Sequence, residues 1–189
     1  GDSTDPGAEL VTNGSFDTDT TGWSDYEADG SDATLSVEGE QLKVTFPNYA
    51  GWLKWSTQVY QDTISLEAGT TYELSFDVYG SEARDIWVEM TDMEAKTVTI
   101  TESSQSLTYE FTATNTIANG KLNFLLGTDN MAGESFTKDQ NIYFDNISVK
   151  EKGTTTDPGD NTDPGDSTDP GAELVTNGSF DTDTTGWSD

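Results

Sequence analysis

In the run Asp85–Thr91 the apolar residues Ile86, Val88 and Met90 alternate with Trp87, Glu89 and Thr91. A period of two sends one set toward a core and leaves the other outside. Trp87 is thereby a large ring on a face that no core requires. Tyr79 holds the comparable position in the run Thr71–Gly80, where Tyr72, Leu74, Phe76 and Val78 form the apolar set. The stretch Asn48–Gln61 adds Tyr49, Trp52, Trp55, Gln58 and Gln61 in a predicted loop and strand. Exposed rings beside amides and carboxylates stack on the apolar C–H faces of a ligand and hydrogen-bond its hydroxyls. That chemistry is recognition without bond making. The same rings suit packing against a neighbouring domain, and Trp52 and Trp55 suit covering one end of the fold.

Catalysis has little to work with. The chain has no His and no Cys, which removes the commonest general bases, thiol nucleophiles, disulfides and thiolate metal sites. Carboxylate pairs of the glycosidase kind are conceivable. With 36 acidic residues, however, pairs arise by chance and single out nothing. A non-enzyme is expected. The formal net charge of −28 repels nucleic-acid phosphates and anionic membranes, so neither is an expected partner. It attracts divalent cations. No apolar window is long enough to span a bilayer.

The elements that would carry these side chains are strands. Ala33–Phe46 gives two alternating runs around a turn at Glu38-Gly39-Glu40. The runs Ser106–Thr114, Lys121–Asp129 and Asn141–Lys150 continue the texture, and no stretch of useful length shows helical periodicity. Short strands with one apolar face predict an all-β fold, an antiparallel two-sheet sandwich of roughly eight to ten strands. Asp145 interrupts one such run. Ile142 and Phe144 point one way, then Ile147 and Val149 the other, which predicts a bulge at Asp145–Asn146.

Domain organisation follows from a repeat. The twenty-five residues of Gly1–Asp25 recur at Gly165–Asp189. Within Lys152–Glu173, Thr-Asp-Pro-Gly occurs three times, starting at Thr156, Thr162 and Thr168. Such a segment has no apolar residues for a core and reads as a solvated, self-repelling spacer, with calcium binding by its aspartates as the sharper alternative. The expected division is the end of a preceding linker at 1–8, a β-sandwich at 9–152, an acidic linker at 153–172, and the first strand of the next identical repeat at 173–189. The chain reads as a window on a longer tandem array, and the second copy is expected to dock on a domain as a strand.

Three motifs carry a resemblance. Glu9–Trp23 resembles the opening of the family-four and family-nine carbohydrate-binding modules. Ile64–Gly80 resembles their central strand pair, and Asn141–Lys150 their closing strand. The resemblance implies a β-jelly-roll, no catalysis, a structural Ca²⁺ near the chain ends, and sugars stacked on aromatic rings in a cleft of the concave sheet. Under it, Trp87, Tyr79, Trp52, Trp55, Gln58 and Tyr49 are the candidate carbohydrate-binding residues. Trp23 and Trp187 fall in the fold motif and are expected in the core. Asp145, Asp17 and Glu9 are the candidate calcium ligands, being hard oxygen donors. Asp17 stands where such modules often have Glu.

Two functions are open at this level. One is a non-catalytic building block of an extracellular or cell-surface filament, in which neighbouring identical repeats exchange strands. The other is a polysaccharide-binding module of a secreted glycan-degrading enzyme or an adhesin, repeated for avidity. Whether Trp87 lines an open groove or a domain contact separates them.

Overall fold

The structure is a computed structural model and describes residues 7–28, 30–47, 50–129 and 140–153. The chain divides into the units Gly1–Thr154 and Thr155–Asp189. The whole of the second unit, including the repeated copy Glu173–Asp189, lies outside the described residues.

Ten strands form among the described residues. They are β1 (Ser24–Glu27), β2 (Thr34–Val37), β3 (Leu42–Phe46), β4 (Thr57–Leu66), β5 (Thr71–Gly80), β6 (Arg84–Met90), β7 (Met93–Ile100), β8 (Gln105–Thr112), β9 (Ile117–Leu125) and β10 (Gln140–Glu151). They pair antiparallel in two five-stranded sheets, β2-β3-β10-β5-β8 and β1-β4-β9-β6-β7. The fold is the expected all-β sandwich.

Alternation places the core as expected. Tyr72, Leu74, Phe76 and Val78 of β5 are buried, and so are Ile86, Val88 and Met90 of β6. Aromatic rings knit the sheets together. Phe124 of the second sheet lies 5.1 Å from Phe76 and 4.6 Å from Phe144 of the first, centroid to centroid. The first of these pairs is edge-on, at 79°, the geometry that ring quadrupoles favour. Truncated rings here would leave a cavity that the facing sheet cannot fill.

Two local features follow the sequence. Between β2 and β3, Gly39 and Glu40 both take φ of 62°, the arrangement of a two-residue hairpin turn that matches strand twist. In β10 the register against β5 shifts between Asp145 and Ser148, and Asn146 takes φ of 50°. The extra residue restores Ile147 and Val149 to the core face.

The amino-terminal segment differs from expectation. Glu9–Trp23 is not a strand; a single bridge, Glu9 to Lys150, is its only β pairing, and β1 starts at Ser24. The segment instead runs along β10 and pushes Val11, Phe16 and Trp23 into the core. Two Gly residues and several short polar ones dilute its alternation, so side-chain insertion rather than a ladder holds it. Gly14 sits where any Cβ would collide with the Ile147 carbonyl, while its own carbonyl accepts the Ile147 N–H at 3.0 Å. Trp23 donates its indole N–H to the Asn13 carbonyl at 3.1 Å and packs 5.5 Å from Phe16. Its expected core position holds.

Candidate ligand-binding face

Register lines five side chains straight across the second sheet. Tyr26 of β1 pairs with Gln58 of β4, Gln58 with Leu125 of β9, Leu125 with Trp87 of β6, and Trp87 with Thr97 of β7. One rung along, Ser24, Tyr60, Asn123 and Glu89 form a second row. The residues between these rows, Val59, Phe124 and Val88, are wholly buried in the core. Both rows therefore point away from it.

Outward does not mean exposed at the centre. Asn123 is 3% exposed and Leu125 4%. Neighbouring side chains overhang them, so Asn123 and Leu125 form a floor between taller residues. Tyr26 is an exposed ring at one edge, and Trp87 and Tyr60 are half-buried rings nearer the middle.

A directed chain of amides organises the floor. Gln58 donates through Nε2 to the Trp55 carbonyl at 2.9 Å, which turns its Oε1 toward β9. Asn123 Nδ2 then donates both its hydrogens, to Gln58 Oε1 and to Glu89 Oε1, each at 2.9 Å. With both neighbours acting as acceptors, the Asn123 amide has one workable orientation. Its Oδ1 is buried and has no hydrogen-bond partner. A buried acceptor left without a donor is costly.

Two lysines lean over the rings. Lys121 Nζ lies 3.9 Å from the Tyr60 centroid and donates to Gln58 Oε1 at 3.2 Å. Lys54 Nζ lies 5.8 Å from the Trp87 centroid. Lys54 belongs to the short 3-10 turn Lys54–Ser56, whose carbonyl at Lys54 accepts the Gly127 N–H at 2.9 Å. Gly127 has no room for a Cβ against the Leu53 carbonyl, so this close approach requires glycine.

The expected sugar-binding residues divide between places. Trp87 and Gln58 share one row of the face. Trp55 and Trp52 are exposed in the adjoining turn, with Trp55 tied to Gln58 through its carbonyl. Tyr49 lies outside the described residues. Tyr79 belongs to the other sheet, so it shares no face with Trp87. There it stacks on Tyr143 at 4.6 Å and 7°, and donates its hydroxyl to Gln41 Oε1 at 2.9 Å. Burial first, with Tyr143 and Glu38 adding, pushes the Tyr79 hydroxyl pKa up and keeps it a donor. Gln61 points inward, 2% exposed, where its Oε1 accepts the Thr12 N–H and its Nε2 bonds the Thr12 and Gly22 carbonyls. It is a clasp for the amino-terminal segment and faces no ligand. Tyr26, Tyr60, Glu89, Lys121, Asn123 and Leu125 complete the face without having been singled out in the sequence. The signal available was the period of two, which joins Tyr60 to Gln58 and sets Asn123 between inward Leu122 and Phe124.

Glu9, Asp17 and Asp145 do not form one donor set. Glu9 Oε1 accepts the Val11 and Val149 N–H groups at 3.0 and 2.9 Å, and its Oε2 takes the Ser148 hydroxyl at 2.6 Å and faces Lys150 Nζ at 3.6 Å. Its lone pairs and charge are already answered by the protein. Asp145 accepts the Asn146 N–H at 2.7 Å and pairs across the ladder with Asp77; Asp17 is exposed. Among the described residues no group of three or more acidic side chains stands close enough together to hold a metal ion.

Comparison with known proteins agrees with the fold. A solved family-four carbohydrate-binding module, described as "CBM4 structure and function", is 24% identical, with 75% of this chain and 99% of that one covered and a TM-score of 0.65. The N-terminal cellulose-binding domain of Cellulomonas fimi β-1,4-glucanase C is 22% identical over 78% and 99%, with a TM-score of 0.52. A module named TmCBM61, solved with β-1,4-galactotriose, is 15% identical over 77% and 99%, with a TM-score of 0.50. At these identities the likeness is one of fold. No curated protein matches the chain. The sequence model described as "Carbohydrate binding domain", covering families four and nine, matches residues 8–131. By that match the chain belongs to the carbohydrate-binding domain family.

Proposed function

We propose that the protein is a non-catalytic polysaccharide-binding module of the extracellular space, and that its glycan lies across the outer face of the second sheet. The observation that carries this is the gathering of the Trp87, Tyr60 and Tyr26 rings with the Gln58–Asn123–Glu89 amide and carboxylate chain on one outward face. The rings offer stacking surface for pyranose C–H faces, and the amide chain offers fixed donors and acceptors for hydroxyls. One relative is a cellulose-binding domain and another was solved with β-1,4-galactotriose, which supports a polysaccharide as the ligand class. The family match favours this reading over the filament building block. In a tandem array, repetition through acidic Thr-Asp-Pro-Gly linkers adds avidity by tethering several weak sites to one polymer.

The test is retardation of the full chain in native gels cast with soluble β-linked polysaccharides. Trp87→Ala is expected to lose about 2 kcal/mol of binding, roughly thirtyfold in Kd, as truncation of a central ring does at other interfaces. Unchanged retardation of a variant that still melts cooperatively overturns the assignment of this face.

A further inference from the structure

The lysines of this protein are not used alike. Lys43, Lys96, Lys150 and Lys152 each stand within ion-pair distance of a carboxylate, Glu38, Glu94, Glu9 and Glu110 respectively. Among the described lysines, Lys54 and Lys121 do not. Both are half-buried, and both hold their ammonium groups over the rings of the proposed glycan face. In a chain with 36 acidic and 8 basic residues, a lysine without a carboxylate is the exception, and both exceptions fall on one face.

Three acids stand at outward positions of these strands, Asp62, Asp85 and Glu89, and none forms an ion pair with either lysine. Glu89 Oε1 accepts from Asn123, and Asp85 accepts the Thr99 hydroxyl at 2.6 Å. Neither reaches a lysine. Physiological salt screens charges beyond about 8 Å, which weakens the pull of acids farther away than that. An ammonium over a ring gains less than a carboxylate partner supplies, and the further contact of Lys121 is a hydrogen bond to the neutral Gln58 Oε1 at 3.2 Å.

Resting on the reading of this face as a glycan site, we propose that the polysaccharide it takes is anionic. Its pyranose rings stack on Trp87 and on the part of Tyr60 that Lys121 uncovers as it turns to the ligand, and its carboxylate or sulfate groups are received by Lys54 and Lys121. Stacking brings the exocyclic substituents of a sugar to the ring edge, within reach of a long lysine stem. Tyr60 and Trp87 sit on β4 and β6, two strands apart and two residues out of register, so roughly 12 Å separates them at the usual strand spacing and rise. That is about the span of a disaccharide, which lets alternate sugar units present a charged group to each lysine.

The experiment is calorimetric titration of the full chain at constant ionic strength, near 0.15 M. The ligands are an oligogalacturonate, a sulfated galacto-oligosaccharide and a neutral β-1,4-galacto-oligosaccharide of equal length. At least one anionic ligand is expected to bind tenfold or more tightly than the neutral one, and the anionic arms tell carboxylate from sulfate. The double variant Lys54→Met/Lys121→Met is expected to lose that preference while melting as the parent does. If the neutral ligand binds as well as both anionic ones, or the double variant keeps the preference, the charge assignment is wrong while the face still binds sugar. If no ligand of either kind binds, the glycan reading falls with it.

Discussion

At the scale of single residues, Asn123 carries the sharpest consequence. Both its amide hydrogens point at acceptors, Gln58 Oε1 and Glu89 Oε1. Asn123→Asp keeps the shape and replaces the donor with a buried anion facing two acceptors. The expected loss is about 2–3 kcal/mol at neutral pH, read by urea unfolding. A variant as stable as the parent would show that the amide network does not hold the floor. On the opposite sheet, Lys43 hydrogen-bonds Glu38 Oε2 at 2.8 Å, and Tyr143 donates to Oε1 at 3.2 Å. The Lys43 hydrogen bond, then its charge, then Tyr143 hold the Glu38 carboxyl below its ordinary value of 4.5. A depressed folded value means that the interaction is complete above the unfolded carboxylate range and is lost as pH falls through the folded value. Lys43→Met is expected to move the Glu38 titration, followed by carboxyl chemical shift, up toward 4.5. An unmoved midpoint contradicts the pairing. Trp87 was legible in the sequence because alternation alone marks an outward ring. Tyr79 was legible as outward too, but alternation names a face and not a sheet, so its separation from Trp87 required the pairing of strands far apart in the chain.

At the scale of elements, the amino-terminal segment and β10 define how the sandwich closes. The bulge at Asp145–Asn146 was readable because a single residue reverses the apolar parity of an otherwise regular strand. The irregular path of Glu9–Trp23 was not, since its apolar side chains enter the core from a ribbon with one β bridge. Gln61 shows why. Its position on the inward parity of β4, two residues after Val59, is visible in the sequence. That its amide would clasp the Thr12 backbone and the Gly22 carbonyl depends on where the ribbon runs. Gln61→Leu fills similar volume but strands one part-buried donor and two acceptors. We expect a loss of about 2–4 kcal/mol and faster amide exchange along Thr12–Trp23 than in β5. Equal exchange in both segments would show that the clasp does not fasten the ribbon.

At the scale of the whole molecule, the fold separates two kinds of outward surface. The first sheet presents a tyrosine pair whose rings stack on each other and whose hydroxyls are met by Gln41 and Glu38, so its aromatic surface is spent within the protein. The second sheet presents rings attended by lysines, above a buried acceptor with no donor. Composition and alternation together were enough to read the sandwich and to exclude the commonest catalytic chemistry. They were blind to the floor, because the nearly continuous apolar run Leu122–Leu126 hides that Asn123 and Leu125 face outward. The most direct test is a titration of the full chain with a bound oligosaccharide, followed by side-chain amide and indole NMR signals. The Asn123 amide and the Trp87 indole are expected to shift together, while Gln41 on the tyrosine face stays in place. Shifts confined to the first sheet, with Asn123 and Trp87 unmoved, would contradict the assignment.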